Sequence, residues 1–259
     1  MIGDLEVSEL AIAFDVKKST KKEPNTAELS IYNLSDENRK KLTEAKKYPL
    51  RIEAGYVGNL SQIYLGEVRS GFTTVEGPDY VTRLSSGDGE KAHKVRLSIP
   101  IGPKTPADVA LRAIARTLGV NAGNSDAMAA TLAKRGKVLY PRGTVLSGNA
   151  AQNLTDFCRS AGLEWSIQDG ALQILDIGAP LNERPIILSP DSGLIGSPSS
   201  DADGKISAKC FMIPGLRPGI RVQMDSLQVK GIYRITQAQY QGDTQGAEWS
   251  ISLLLEKPK

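Results

Sequence analysis

Residues 213–224 read Ile-Pro-Gly-Leu-Arg-Pro-Gly-Ile-Arg-Val-Gln-Met, and they open the part of the chain that decides the fold. Two more blocks follow, Val229–Ala238 and Gly242–Glu256. In all three blocks, apolar residues alternate with polar ones next to Pro/Gly or Gly/Asp turns. A period of two places the apolar residues on one face of an antiparallel strand. The C-terminal segment therefore predicts a loop, a strand, a short turn, a long strand, a Gly-Asp turn and a final strand.

The same alternation marks the N-terminal part of the chain. Residues 5–16 and 27–31 predict a hairpin whose tip is the polar segment 17–25. Ser35 predicts the N-cap of a short helix, which carries Lys46 and Lys47 at its negative end. With further strands up to residue 100, segment 1–102 predicts roughly six strands and one short helix, the pattern of a small closed or half-closed β-barrel.

The middle segment, 103–177, predicts helices. Thr105 is the expected N-cap of one helix, with Pro106 at its first position and Gly119 as its stop. A second helix is predicted from about residue 150 to 161, and Asp169-Gly170 predicts a tight hairpin after it. Segment 178–205 is rich in Gly, Pro, Ser and Asp and predicts a linker before the final strands. The chain is thus predicted to be mainly β with an α+β insert.

Composition limits the classes of function. Apolar residues make up 40% of the chain and charged residues 24%, as in ordinary globular proteins. The net charge is only +3 with the signs mixed, whereas nucleic-acid binding as a main task needs a concentrated basic face. The first residues carry no secretion signal, and no apolar run reaches the roughly 18 residues of a membrane helix. We expect a soluble chain that is made in the cytosol and does not insert into a membrane.

Residues that could carry chemistry are few and scattered. His93 is the single histidine, so no His-His metal site is expected, and it is predicted to lie at the surface. Cys158 and Cys210 lack CxxC spacing and are predicted to be buried free thiols. The loop 201–204 departs from the calcium-loop pattern, and no glycine-rich phosphate loop is present. We predict no catalytic residue, no cofactor and no metal site.

One cluster of charge remains at the tip of the first predicted hairpin, and it consists of Lys17, Lys18, Lys21 and Lys22. Two interpretations stay open, a solvated tip or a contact with nucleic acid or an acidic partner. If the tip contacts a neighbouring subunit or a tube, replacing the four lysines with glutamate should block assembly without unfolding the monomer.

Three regions of the chain resemble one protein family. The strand Ile12–Lys18, followed after a turn by Asn25–Ser35, is similar to the first barrel hairpin of contractile-tail phage baseplate hub proteins, the late-control-protein-like tail hubs. The block from Leu216 to Trp249 resembles the second barrel of that family, and the middle segment resembles its inserted domain. The resemblance implies two small tube-protein-like β-barrels, at 1–102 and 178–259, which flank an inserted helix–helix–hairpin domain at 103–177.

The resemblance also implies a function. Such hubs form a homotrimeric ring that joins the hexameric tail tube to the trimeric central spike, with baseplate wedge proteins as further neighbours and genome DNA passing through the lumen without specific binding. We therefore expect a structural component of the virion tail baseplate that is assembled in the host cytoplasm and is not an enzyme. The alternative is a tail-associated hydrolase of cell wall or polysaccharide, because the 29 acidic residues supply many carboxylate pairs.

Overall fold

The computed structural model describes residues 1–44 and 48–259. These residues form two compact units. Unit 1 contains Met1–Ser19, Asn25–Asp88 and Pro180–Pro258, and unit 2 contains Thr20–Pro24, Gly89–Ala179 and Lys259. Strands account for 49% of the chain and helices for 20%, which confirms the prediction of a mainly β protein. No helix among the described residues is both long enough and apolar enough to cross a bilayer.

The strands in chain order are β1 (Ile12–Ser19), β2 (Thr26–Tyr32), β3 (Pro49–Tyr56), β4 (Asn59–Glu76), β5 (Asp79–Gly87), β6 (Arg96–Ile101), β7 (Thr105–Pro106), β8 (Val138–Tyr140), β9 (Thr144–Asn149), β10 (Leu163–Gln168), β11 (Ala171–Asp176), β12 (Ile186–Leu188), β13 (Leu194–Ser200), β14 (Ile206–Phe211), β15 (Arg221–Asp225), β16 (Lys230–Asp243) and β17 (Trp249–Glu256). The α-helices are α1 (Asp36–Thr43), α2 (Glu90–Lys94), α3 (Ala107–Thr117), α4 (Ser125–Arg135) and α5 (Ala150–Ala161).

One sheet organises unit 1. Its strand order is β13-β14-β17-β16-β1-β2-β5-β4-β3, and β15 with β12 branches from β16. The predicted segments 1–102 and 178–259 meet in this sheet, because β1 pairs antiparallel with β16 from Ala13–Asp243 to Ser19–Gln237. In this pairing, the backbone N–H and C=O groups along the edge of each strand form hydrogen bonds with the other strand. The two segments therefore share one sheet and one apolar core, and no strand pairing within the described residues closes a barrel.

The first strand begins later and ends later than predicted. Leu5, Val7 and Leu10 pack against the core but precede β1, which starts at Ile12. The strand then continues to Ser19, because its residues keep pairing with β2 as far as Lys17–Thr26 and with β16 to its end. Lys17 and Lys18 are consequently strand residues and not part of a loop.

The segment predicted as a linker, 178–205, contains two strands of unit 1. β12 pairs in parallel with β15, and β13 pairs with β14 with an irregular register between Ile195 and Ser199. Pro198 lies in β13, an edge strand, which is where proline is tolerated in sheets. The local composition is typical of a linker, while pairing with strands distant in sequence makes the segment part of the sheet.

The helix predicted after Ser35 is α1. The Ser35 hydroxyl accepts a hydrogen bond from the backbone N–H of Asn38 at 3.3 Å, as an N-cap should. Leu42 is the buried residue of this helix. The predicted lysine pair at its end, Lys46 and Lys47, lies outside the described residues.

Unit 2 packs its helices around a separate apolar cluster. Helix α5 has the predicted bounds. The structure adds Asn149 as its N-cap and places Gly162 in the left-handed conformation at its end. Pro106, not Thr105, is the N-cap of α3. Helix α4 was not predicted, because only Ser125, Ala129 and Leu132 of its residues are buried and no clear apolar stripe marks it.

The Asp169-Gly170 hairpin between β10 and β11 forms as predicted. Asp169 has a φ of 54° and Gly170 a φ of 75°, so both central residues of the turn take the left-handed region. That combination is typical of the two-residue hairpin turn that Asp-Gly favours. The strands register from Leu163–Asp176 to Gln168–Ala171, and they place Trp165 in the core of unit 2.

Candidate assembly surface

The central sheet of unit 1 presents a largely polar face, which includes the exposed Phe211 and the buried Gly87 and Ser250. Hydrogen-bonded pairing aligns residues on the same side of six strands, β14, β17, β16, β1, β2 and β5, into rows. The first row is Lys209, Ser252, Gln239, Lys17, Thr26 and Gly87, and the second is Phe211, Ser250, Gln241, Asp15, Glu28 and Ser85. A third row contains Asp243, Ala13, Ser30 and Arg83. At about 4.8 Å per strand, the six strands make a face roughly 24 Å wide.

The opposite face of the same strands is the core. The alternate residues Cys210, Ile251, Tyr240, Val16 and Ala27 register across the sheet, and all five are at most 2% exposed. The alternation seen in the sequence thus becomes one apolar and one polar surface. The alternating polar residues of each strand can be recognised in the sequence. The extension of the polar face from β14 to β5 depends on the pairing of β1 with β16.

Charge on the polar face is balanced. Its rows contain three basic side chains, Lys17, Arg83 and Lys209, and three acidic ones, Asp15, Glu28 and Asp243. Both Asp15 carboxylate oxygens accept hydrogen bonds from Gln239 Nε2 at 2.9 Å, and Lys17 Nζ lies 3.8 Å from Asp15 Oδ2. Without a basic stripe, such a surface is hydrated yet holds a polyanion weakly.

The four lysines that were predicted to contact a partner differ in burial and in the unit to which they belong. Lys17 is exposed on the polar face, with 64% of its side chain accessible. Lys18 is only 3% exposed, and its ammonium donates to the carbonyl oxygen of Ile63 at 3.2 Å. Lys21 and Lys22 are exposed in the segment Thr20–Pro24, which belongs to unit 2. Since Lys18 is buried, only the other three offer their charge to a partner.

His93 is half-buried in unit 2, so the prediction of a surface histidine is wrong. Its ring stacks on Trp165 with centroids 5.5 Å apart, and its Nε2 is buried with no hydrogen-bond partner among the described residues. An open pocket of about 500 Å³ lies here, lined in part by Lys22 and Glu23. Burial lowers the pKa of His93, with Glu23 raising it and Lys22 lowering it by smaller amounts.

The lowered pKa gives unit 2 a pH dependence. Because the folded pKa lies below the unfolded one, the unfolded chain binds more protons, and stability falls as the pH drops below the ordinary value of 6.5. We expect the denaturant midpoint of unit 2, followed by Trp165 fluorescence in a Trp249→Phe background, to fall from about pH 7 to pH 5. His93→Phe keeps an aromatic ring against Trp165 and should flatten this decline. An unchanged slope in His93→Phe would contradict the assignment.

The remaining candidates for chemistry are the metal-ligating residue types, the two cysteines and the loop 201–204. Among residues 1–44 and 48–259, no cluster of His, Cys, Asp or Glu has the arrangement of a metal site. Cys158 and Cys210 are both buried and free, as predicted, and burial raises the pKa of each thiol to about 12. In the loop 201–204, Asp201 Oδ1 accepts hydrogen bonds from the backbone N–H groups of Asp203 and Lys205, so this carboxylate oxygen stabilises a tight turn.

Comparison with known proteins identifies what the chain is similar to. The family described as baseplate hub gp41 matches residues 3–251. No curated protein sequence matches the chain. Among solved structures, the tail protein from Neisseria meningitidis MC58 aligns over 99% of this chain and 94% of its own, with a TM-score of 0.67 and 11% identity.

Two further structures have the same fold. The 43 kDa tail protein of prophage MuSo2 from Shewanella oneidensis aligns over 100% of this chain and 97% of its own, with a TM-score of 0.64 and 9% identity. The E. coli c3393 protein, a component of the type VI secretion system similar to T4 bacteriophage tail proteins gp27 and gp5, aligns over 100% of this chain and 76% of its own. Its TM-score is 0.64 and its identity 10%, so the likeness concerns the fold.

Proposed function

Because the chain belongs to the baseplate hub gp41 family, we propose that it forms a homotrimeric ring between the tail tube and the central spike of a contractile tail. A structural role in the virion tail baseplate follows from the family itself. The ring, its tube, spike and wedge partners, and assembly in the host cytoplasm are the further steps of the proposal. In it the two halves of unit 1, β1–β5 and β12–β17, act as the two tube-like β modules of each subunit, and the insert 103–177 lies between them in the sequence.

The polar face of the central sheet is the observation that carries this proposal. The inner wall of a ring that passes DNA must be hydrated but must not bind the DNA phosphates tightly. The polar face of six registered strands meets this requirement, because its rows contain equal numbers of acidic and basic side chains. The apolar side of the same strands supplies the rigid backing. In the proposed ring the polar face lines the channel, and the role is structural and not enzymatic.

The test is the molar mass in solution, measured by light scattering for the chain alone and with its tube and spike proteins. We expect three times the chain mass of 27.8 kDa for the chain alone, or a complex with the spike whose mass includes three copies of the chain. Mixing with an unrelated trimeric protein is the control. A chain that stays monomeric with both tail partners and clears cell-wall substrate would overturn the proposal in favour of a hydrolase.

A further inference from the structure

Positive charge is concentrated in unit 2. This unit contains 14 basic and 8 acidic residues, a net charge of +6, whereas unit 1 contains 18 basic and 21 acidic residues, a net charge of −3. The net charge of +3 for the whole chain hides this division. A contact with a polyanion is therefore expected in unit 2 and not in unit 1.

Two stretches of unit 2 contain basic residues and no acidic ones. Segment 91–107 has four basic residues and segment 127–155 has four more, with no Asp or Glu in either. The segments are separate in the sequence, but the antiparallel pairing of β6 with β9 brings them together. We call β6, β9 and the adjoining loops 102–104 and 141–143 the basic ribbon.

The basic ribbon has one buried and one exposed face. Leu97, Ile101 and Leu146 are at most 8% exposed and belong to the apolar core of unit 2. The other face consists of three exposed cross-strand pairs, Arg96–Asn149, Ser98–Ser147 and Pro100–Val145. Because the inner face is anchored in the core, the ribbon holds its outer residues in fixed positions.

The two loops at one end of the ribbon hold Lys104 and Arg142 close together. The backbone N–H groups of Lys104 and Gly143 donate to the same acceptor, the carbonyl oxygen of Tyr140, at 3.2 and 3.1 Å. Lys104 and Arg142 are both exposed. The ribbon therefore has two basic residues at this end and Arg96 at the other.

The backbone of Lys104 has a conformation that lysine does not favour. Its φ is 59°, in the left-handed region where a Cβ atom is crowded. Among the described residues, the other non-glycine residues with a positive φ are Asn33 and Asp169, and these two types tolerate the region. Glycine would fit position 104 without strain, so a lysine there indicates a use for its charge.

Acidic residues of unit 2 do not neutralise the ribbon. Those that flank the two segments in the sequence each lie at most 3.8 Å from a basic residue outside the ribbon, and they are Glu90, Asp108, Asp126 and Asp156. Arg96, Lys104 and Arg142 have no ion pair among residues 1–44 and 48–259. Their charges are therefore available to a partner.

We infer that the basic ribbon binds duplex DNA through its phosphates, with Arg96 at one end and Lys104 and Arg142 at the other as the contacts. A two-stranded β-ribbon fits the major groove of DNA, which is about 12 Å wide. Arg96 and Ile101 are the two ends of β6, and at about 3.4 Å per residue they lie roughly 17 Å apart. Long basic side chains at this spacing reach phosphates on both edges of the groove.

The exposed face of the ribbon favours a nucleic acid over an acidic protein. It has no aromatic residue and no methionine, the types that are enriched in protein–protein interfaces. Its Ser98 and Ser147 are small hydroxyl residues of the kind that contact phosphate oxygens. Contacts to phosphates alone are independent of base sequence and weaken as salt rises. The inference does not rest on the proposed ring.

The test is the fluorescence anisotropy of a short labelled DNA duplex, titrated with the full chain at several salt concentrations. Each phosphate contact contributes about 0.9 to the slope of log affinity against log salt. The slope should therefore be about −2.7 for the parent and about −0.9 for Lys104→Gly with Arg142→Ser. Arg184→Ser with Lys257→Ser removes the same charge from exposed residues of unit 1 and should keep the parental slope.

A stability measurement excludes unfolding as the cause of lost binding. Lys104→Gly removes the strain of a positive φ, and Arg142 is exposed. The ribbon variant should therefore unfold at a urea concentration no lower than that of the parent.

The outcomes separate this inference from the proposed function. A parental slope for the ribbon variant, or no binding by the parent at low salt, would overturn the inference. Displacement of the duplex by polyglutamate as effectively as by unlabelled duplex, at equal charge concentration, would assign the ribbon to an acidic protein and also overturn it. A chain that binds DNA through the ribbon but never assembles with its tail partners would remove the ring and leave the inference standing.

Discussion

Lys18→Glu is expected to destabilise unit 1 strongly, whereas Lys17→Glu leaves its stability nearly unchanged. The two residues are neighbours on β1, but they point to opposite sides of the sheet. Lys18 lies among core residues, where its ammonium donates to the Ile63 carbonyl. Glutamate there would bury a negative charge against a hydrogen-bond acceptor. Breaking a buried charged contact in this way typically costs about 3–5 kcal/mol, against a total stability of about 5–15 kcal/mol.

The measurement is urea unfolding followed by the fluorescence of Trp249, the tryptophan of unit 1, in a Trp165→Phe background. Lys17→Glu should shift the free energy of unfolding by no more than about 0.5 kcal/mol, because Lys17 is exposed. Equal midpoints for the two variants would show that Lys18 is not buried in solution. The triple variant of Lys17, Lys21 and Lys22 to glutamate keeps Lys18 and should also fold, so its incorporation into tails tests the proposed contact without the confounding loss of stability.

Adding lysines to the polar face is expected to retard DNA passage through the proposed ring. Ser30 and Ser252 lie half-exposed on this face, in rows that at present balance acids against bases. Ser30→Lys with Ser252→Lys adds two positive charges per chain to the wall. Each new ion pair between a lysine and a phosphate steepens the dependence of log affinity on log salt by about 0.9 for duplex DNA. The delay should therefore be largest at low salt and disappear as salt rises.

The measurement is the rate of DNA release from particles that carry the double variant, at two salt concentrations. Ser30→Asn with Ser252→Asn changes size without charge and should release DNA at the parental rate. Particle yield should be the same for both variants, because neither residue lies on the core side of the sheet. Parental rates for the lysine variant at low salt would show that this face does not line the channel.

Local signals in the sequence predicted the elements that depend on neighbouring residues. The alternation in β15, β16 and β17 predicted three strands, Asp169-Gly170 predicted a hairpin, and segment 150–161 predicted helix α5. Helix α4 was missed because its apolar residues are mostly alanines, which have high helix propensity but do not mark a face. Sequence similarity over residues 3–251 then identified the family.

Other features depend on residues far apart in the sequence. Lys18 is buried because β1 lies between β2 and β16 in the sheet. Strand β16 is more than 200 residues away from β1 in the sequence. The polar face extends across both β segments through the same pairing, and an apolar cavity of about 340 Å³ forms where the N-terminal segment, β3 and Trp249 come together.

By itself, the sequence determined the mainly β class and the helices with clear caps or apolar stripes, because these depend on residues that are close together in the chain. It also determined the family, because sequence similarity extends along most of the chain. Only the tertiary structure decided that the two β segments form one sheet and which lysines remain accessible. The physical reason is that strand pairing satisfies backbone hydrogen bonds equally well for many partners, so the choice among them is made by burial of the whole apolar face at once.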